Sequence, residues 1–254
     1  MKSRIILITI VLITKGLYAQ SNQSKTLIWA DEFNIDGAPD ATKWAYDLGT
    51  GDWGWGNNEA QYYTNRAENI KVLNGKLIIS PIKEVYQGSN YTSAIINTQD
   101  KFSFKYGKVE IKAKLPLGAG TWPALWMLGN DIATVGWPAC GEIDIMEHVG
   151  ITQNKIYGTL HFPNFSGGNA VSKTINIINS DTEFHIYTVD WRADTIQFYV
   201  DGKLFHSFKN SAELPFNHDF FLIINCAMGG NFGGAITPNY SSSNFEVDYI
   251  RVFN

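Results

Sequence analysis

Cysteine is scarce in this sequence, because only Cys140 and Cys226 occur among 254 residues. Two cysteines could form one disulfide. Strand parity argues against that pairing: Cys140 lies two residues before Glu142 and shares its strand face, whereas Cys226 directly follows Asn225, which is placed on the face of Glu142 below. We therefore predict two free, buried thiols with a structural role.

The sequence also lacks a sustained apolar stripe with helical spacing, which argues against a helical bundle. No Pro/Ser-rich linker, low-complexity tract or internal repeat interrupts the chain, so a single domain is favoured over two. Beyond the N-terminus, no run is apolar enough to enter a membrane. We predict one domain over residues 20–254 that acts as a monomer.

The N-terminus has the pattern of a secretory signal. Lys2 and Arg4 precede an apolar run at 5–14, and Ala19 is a plausible cleavage site. The alternative, a membrane anchor, needs a longer apolar run. Removal of residues 1–19 would take away three of the 20 basic residues and no acidic residue, which leaves 17 against 24 and a formal charge of −7. We expect a secreted protein, extracellular or periplasmic, that binds neither nucleic acid nor membrane.

Period-two alternation dominates the chain from residue 69 onward and predicts an all-β protein. Asn74-Gly75 separates apolar runs at 70–73 and 76–79, and Asp201-Gly202 separates runs at 196–200 and 203–206. Both pairs are tight hairpin signals. Further strands are predicted at 184–191, 220–226 and 245–252. The pattern favours an antiparallel two-sheet sandwich of the β-jelly-roll type.

Acidic residues converge on one strand, residues 141–149. Glu142 and Asp144 share a face, but Glu147 is an odd number of positions away and would point to the opposite side. A β-bulge around Ile145-Met146 would return Glu147 to the common face. An acidic, solvated strand face is the alternative interpretation, yet three adjacent carboxylates repel one another and contribute nothing to folding. A catalytic role explains them better.

Glycoside hydrolysis is the chemistry that needs this arrangement. With retention of configuration, one carboxylate attacks the anomeric carbon and a protonated partner about 5–5.5 Å away delivers a proton to the leaving oxygen. Flat aromatic side chains suit sugar rings, and tryptophans surround the acidic strand, although any single tryptophan is usually a core residue. The sequence therefore predicts a glycan cleft.

At these residues the sequence resembles glycoside hydrolase family 16. Within that family it is most similar to the laminarinase-like endo-β-1,3-glucanases. The resemblance rests on 29–33 (WADEF), 55–64 (WGNNEAQYYT), 91–94 (YTSA), 122–128 (WPALWML), 136–147 (GWPACGEIDIME) and 247–252 (VDYIRV). It implies a concanavalin A-like β-jelly roll with an open cleft, no cofactor for catalysis and a β-glucan substrate. It also implies Glu142 as nucleophile, Asp144 as assisting acid and Glu147 as general acid/base.

The resemblance further implies two sets of ligand residues. The expected sugar-binding residues are Asn57, Trp122, Trp126, Trp137, His161 and Asn225; of these, His161 could equally be structural. A structural calcium ion on the convex side would be held by Glu32, Gly75 and Asp248, through a carboxylate and main-chain oxygens.

Two positions depart from the family pattern, and three functions remain open. Ile95 stands where an arginine is usual, and Phe232 stands where a tryptophan is common. The main prediction is endo-hydrolysis of β-1,3-glucan or mixed β-1,3/1,4-glucan. Red-algal galactans such as agarose, porphyran or carrageenan are alternative substrates, and a lectin-like binding module would need the aromatic cleft without both glutamates.

Overall fold

The computed structural model describes residues 26–254, which form a predominantly β structure. The predicted signal peptide lies outside the described residues. The strands in chain order are β1 (Leu27–Asp31), β2 (Ala45–Tyr46), β3 (Gln61–Tyr63), β4 (Ile70–Val72), β5 (Leu77–Ile79), β6 (Ile82–Tyr86), β7 (Ser89–Ser93), β8 (Ile95–Asn97), β9 (Gly107–Lys114), β10 (Thr121–Gly129), β11 (Glu142–His148), β12 (Lys155–His161), β13 (Val171–Asn176), β14 (His185–Trp191), β15 (Thr195–Val200), β16 (Lys203–Lys209), β17 (Phe220–Met228) and β18 (Phe245–Phe253).

The helical segments are all a single turn or little more. They comprise α1 (Ile132–Val135), α2 (Gly230–Gly233), a π-type turn at Gly54–Asn58 and 3-10 turns at Gly150–Thr152 and Gly167–Asn169. Within residues 26–254, no helix has the length and apolar character needed to cross a membrane. These short segments agree with the lack of an apolar stripe with helical spacing in the sequence.

Two large antiparallel sheets form the sandwich. The outer sheet has the order β16-β15-β14-β9-β18-β5-β4, with β1 also pairing with β18. The inner sheet has the order β13-β12-β11-β10-β17-β8-β2, and β6, β7 and β3 make a small third sheet. Strands that are neighbours in space are often distant in sequence, as expected for a jelly roll. The predicted fold class is confirmed.

Both predicted hairpins are present. Asn74 and Gly75 have φ values of 53° and 72°, and Asp201 and Gly202 have φ values of 50° and 76°. Positive φ at both central residues is the requirement of a type I′ hairpin turn, which Asn, Asp and Gly meet at low cost. The turn residues thus set the register of β4 on β5 and of β15 on β16.

The core lies between the two large sheets and is made by alternate residues of each strand. On β17, Phe220, Leu222 and Ile224 are buried in this core, whereas Phe221 and Ile223 belong to a separate apolar cluster on the other face. That other face of the inner sheet carries the site described below. Cys140 and Cys226 are both free and buried, as parity predicted.

Candidate active site

The acidic strand β11 contains the predicted bulge. Against β10, Glu142 pairs with Leu128 and Asp144 pairs with Trp126. The register then shifts, and Glu147 pairs with Ala124. The extra residue lies in the Ile145-Met146 pair, and both of these side chains are buried in the core. The bulge returns Glu147 to the face of Glu142 and Asp144, so the sequence-based placement of all three carboxylates is confirmed.

The three carboxyl groups lie in a largely dehydrated position. Asp144 is 3% exposed and Glu147 is 9% exposed. Burial raises the pKa of all three groups. The charge of Asp144 raises the pKa of Glu142 further, while His161 and the Trp137 N–H act in the opposite direction. The cluster therefore retains a proton to higher pH than isolated carboxyl groups do, which a general acid requires.

Hydrogen-bond donors hold the two glutamates from different sides. The Trp137 indole N–H donates to Glu142 Oε2 over 2.7 Å. Glu147 accepts from Trp122 Nε1 at 3.1 Å and from Thr159 Oγ1 at 3.2 Å. Two tryptophans predicted to contact sugar thus also orient the carboxylates. Thr159 was missed by the sequence analysis, although it lies two residues before His161 on β12 and shares its face.

His161 lies beside Glu142 and Asp144 in a defined tautomer. The Gly167 backbone N–H donates to His161 Nδ1 over 3.1 Å. Because Nδ1 accepts, the proton of a neutral imidazole is on Nε2. Nε2 lies 3.3 Å from Asp144 Oδ2 and 3.8 Å from Glu142 Oε1. His161 Nε2 therefore lies within ion-pair distance of both carboxylates, and the structure places His161 at the site as predicted.

Glu142, Asp144 and His161 are residue types that can bind a metal ion, and they lie close together. Ligand atoms of Glu142, Asp144 and His161 lie within 4.8 Å of one another. A metal ion binds imidazole through an unprotonated nitrogen. The Gly167 N–H occupies the lone pair of Nδ1 and so keeps the proton on Nε2, the atom that faces the carboxylates. This donor set does not fit a metal ion and fits carboxylate chemistry well.

The part of the site beyond β11 and β12 is formed by β10, β17 and the 54–63 segment. Trp126 Nε1 donates to Asn225 Oδ1 over 2.9 Å, and Asn225 pairs with Ala124 on the face that carries Glu147. Asn57 lies in the π-type turn and is within 3.5 Å of Glu59. The structure therefore brings Trp122, Trp126, Trp137, His161 and Asn225 to one face of the inner sheet, with Asn57 joined to it through Glu59 and Tyr63.

Comparison with known proteins decides the family. The sequence model described as "Glycosyl hydrolases family 16" matches residues 51–251. This chain belongs to glycosyl hydrolase family 16. It is therefore an enzyme of the glycosidase class, and the match includes the whole acidic strand. The predicted family and its jelly-roll fold are confirmed.

Named relatives in family 16 are similar over most of the chain. A "Beta-glucanase" of Rhodothermus marinus is 43% identical over 89% of this chain and 84% of its own length. "Glucan endo-1,3-beta-glucosidase A1" of Niallia circulans is 42% identical over 89% of this chain, which spans 37% of that longer protein. The crystal structure of the Rhodothermus marinus laminarinase superposes with a TM-score of 0.86 at 41% identity, covering 91% of this chain and 97% of that one.

The two departures from the family 16 pattern have different surroundings. Ile95 is on the site face, opposite Asn225, yet only 5% exposed in an apolar cluster with Tyr63, Phe221 and Ile223. Ile95 is therefore a buried packing residue on the site face and does not offer an open position to the sugar. Phe232 packs edge-on against Trp122, with ring centroids 5.4 Å apart.

The calcium ligands implied by the family 16 resemblance do not form a carboxylate site here. The Glu32 carboxylate accepts two hydrogen bonds from Arg251, at 2.8 and 2.9 Å. Asp248 forms an ion pair with Lys112 at 2.5 Å. Gly75 occupies the β4–β5 turn. Calcium prefers unpaired oxygen ligands. Both carboxylates are already neutralised by cations, so these side chains do not fit calcium.

Proposed function

We propose that this chain is an endo-acting, retaining β-1,3-glucanase. The observation that carries the proposal is the single bulged strand that presents Glu142, Asp144 and Glu147 on one face, with an indole N–H donating to each of the two glutamates. A binding module has no need for two glutamates whose burial is costly. The named relatives, a beta-glucanase and a glucan endo-1,3-beta-glucosidase, support the β-1,3-glucan substrate.

In the proposed first step, the Glu142 carboxylate attacks the anomeric carbon while Glu147 donates its proton to the leaving glycosidic oxygen. The Trp137 N–H favours the anionic form of Glu142. The first product leaves with a new hydroxyl group. Burial raises the pKa of Glu147, as a proton donor to the leaving oxygen requires. His161 and the Trp137 N–H lower the pKa of Glu142 against the effect of its own burial.

In the second step, Glu147 accepts a proton from water, and the resulting hydroxide displaces Glu142 from the sugar with a second inversion. Asp144 lies between the two glutamates, with His161 Nε2 3.3 Å from its Oδ2. Its charge raises the pKa of Glu142. No cofactor takes part in this proposed sequence.

The proposed activity is tested by incubating the protein with laminarin, mixed-linkage β-glucan, agarose, porphyran and carrageenan, and measuring new reducing ends. We expect release from laminarin, with Glu142→Gln slower by several orders of magnitude because the nucleophile is lost. Release from a galactan alone would replace the substrate assignment. Laminarin binding without hydrolysis would support the lectin alternative.

Secretion after removal of residues 1–19, action as a monomer and turnover of mixed-linkage glucan belong to the same proposal. Secretion is supported by the N-terminal sequence pattern alone. A structural calcium ion is disfavoured by the ion pairs of Glu32 and Asp248. Melting with and without a chelator tests that point, because an ion bound only to the folded state raises the melting temperature.

A further inference from the structure

Glu59 is a carboxylate near the site that has no cationic partner among the described ion pairs. It lies directly after the π-type turn and bridges to Gly229. Its acceptor atoms receive three side-chain donors: Gln61 Nε2 at 2.7 Å, Tyr63 Oη at 3.2 Å and Asn57 Nδ2 at 3.5 Å. A half-buried carboxylate without a cation is costly unless donors surround it, so three neutral donors here require an explanation.

One series of hydrogen bonds runs from the cleft face to Glu59. Trp126 Nε1–H can only donate, and it donates to Asn225 Oδ1. The Asn225 amide must therefore turn its Nδ2 toward Tyr63, and it donates to Tyr63 Oη over 2.9 Å. Tyr63 has one remaining proton, which points to Glu59 Oε2. The indole N–H at the start therefore fixes which atom of each group donates and which accepts.

A second series reaches Glu59 from the backbone of β17. The Met228 N–H, which can only donate, gives its proton to Gln61 Oε1 at 2.7 Å. Gln61 must then direct Nε2 at Glu59 Oε2. Two series that both begin with obligate donors can meet only at an atom that accepts both hydrogen bonds. An ionised carboxylate offers such an atom, and both series end on the same oxygen.

We propose that Glu59, as a carboxylate, is the positioning residue that orients the cleft side chains Asn57, Trp126 and Asn225. These are three of the six residues expected to bind sugar, and none of them is on β11. The inference rests on the proposed glucanase function. Because Glu59 acts through other residues, it governs substrate affinity and not bond cleavage at Glu142.

The test measures kcat and KM on a β-1,3-linked glucose tetrasaccharide. Glu59→Ala should raise KM about tenfold while kcat stays within about threefold, since loss of binding that is equal in ground and transition states appears in KM. Tyr63→Phe removes only the hydroxyl that links Asn225 to Glu59 and should raise KM by a smaller factor. The double variant should equal Glu59→Ala alone, because both changes interrupt one network.

A third variant, Glu59→Gln, should have an intermediate effect on KM. Its amide oxygen can still accept from Gln61 and Tyr63, but its NH2 then opposes the Asn57 Nδ2 donor, so KM should lie between wild type and Glu59→Ala. Glu246→Ala is the matched control: this carboxylate pairs with Lys76 and Lys114 on the outer sheet, and its loss should lower the melting temperature with KM unchanged.

Unchanged KM in both Glu59→Ala and Tyr63→Phe, or a pattern indistinguishable from Glu246→Ala, would overturn the inference. If Glu59→Ala does not fold, Tyr63→Phe alone decides, because it removes one buried oxygen and keeps the ring. A failure of the proposed function is recognised separately, since wild type would then not hydrolyse the tetrasaccharide or laminarin.

Discussion

Replacing Trp137 with phenylalanine should move the acid limb of the pH–rate profile to higher pH. The Trp137 N–H donates to Glu142 Oε2 over 2.7 Å and stabilises the carboxylate relative to the carboxylic acid. Phenylalanine keeps an aromatic face and has no donor. The Glu142 pKa therefore rises in the variant, and a higher pH is needed to ionise the nucleophile.

The size of the shift follows from the geometry. A hydrogen bond to a charged group contributes about 1.5–3 kcal/mol. Trp137 is 49% exposed, so water can partly replace it and the lower figure applies. With 1.36 kcal/mol for each pKa unit, the expected shift is about one pH unit. The assay is kcat/KM on laminarin from pH 4 to pH 8, which reports the ionisation of the free enzyme.

Trp53→Phe is the matched control for this shift. Trp53 is a second exposed tryptophan, with 87% of its surface accessible, and it is distant in sequence from β11. Its replacement should leave the acid limb in place, even if KM changes. An acid limb of Trp137→Phe that coincides with wild type would show that the indole N–H does not stabilise the nucleophile.

Three further predictions use other buried positions. Thr159→Val removes a donor to Glu147, so the pKa of that acid should rise and the basic limb of kcat should move up by about half a unit to one unit; an unmoved limb refutes it. Ile95→Arg places an unpaired cation in an apolar cluster and should lower the unfolding free energy by about 3–5 kcal/mol in urea titrations; a stable variant contradicts the burial assignment. Burial lowers the pKa of His148 from 6.5 to about 4, so the unfolded chain takes up a proton first as the pH falls, and about 3 kcal/mol of stability should be lost between pH 6.5 and pH 4. His148→Leu should abolish that part of the loss, because neither ring nitrogen is hydrogen bonded in the described structure; equal acid lability in both proteins excludes this cause.

Much of the site was predictable because it lies on one strand. The spacing of Glu142, Asp144 and Glu147 requires a bulge, and strand parity alone places Trp122 and Trp126 on a common face. The hairpin turns at 74–75 and 201–202 were likewise local signals. These features depend on residues within a few positions of one another, so the sequence pattern contains the information.

What could not be predicted depends on contacts between distant segments. The Gly167 N–H that fixes the His161 tautomer belongs to the connection after β12, and no spacing rule indicates it. The burial of Ile95 requires the 54–63 segment to cover the inner sheet. Arg251 and Lys112, on neighbouring strands, pair with the carboxylates of Glu32 and Asp248, which the resemblance had offered to calcium. Strand partners decide these outcomes, and local sequence does not encode them.

The most direct test of the account is proton NMR of the first products of laminarin hydrolysis, recorded before mutarotation. Retention follows if Glu142 attacks the anomeric carbon itself and Glu147 serves first as acid and then as base. We predict that the β anomer appears first and the α anomer grows in later. Initial formation of the α anomer would mean that water attacks directly, and would contradict the assignment of Glu142 as nucleophile.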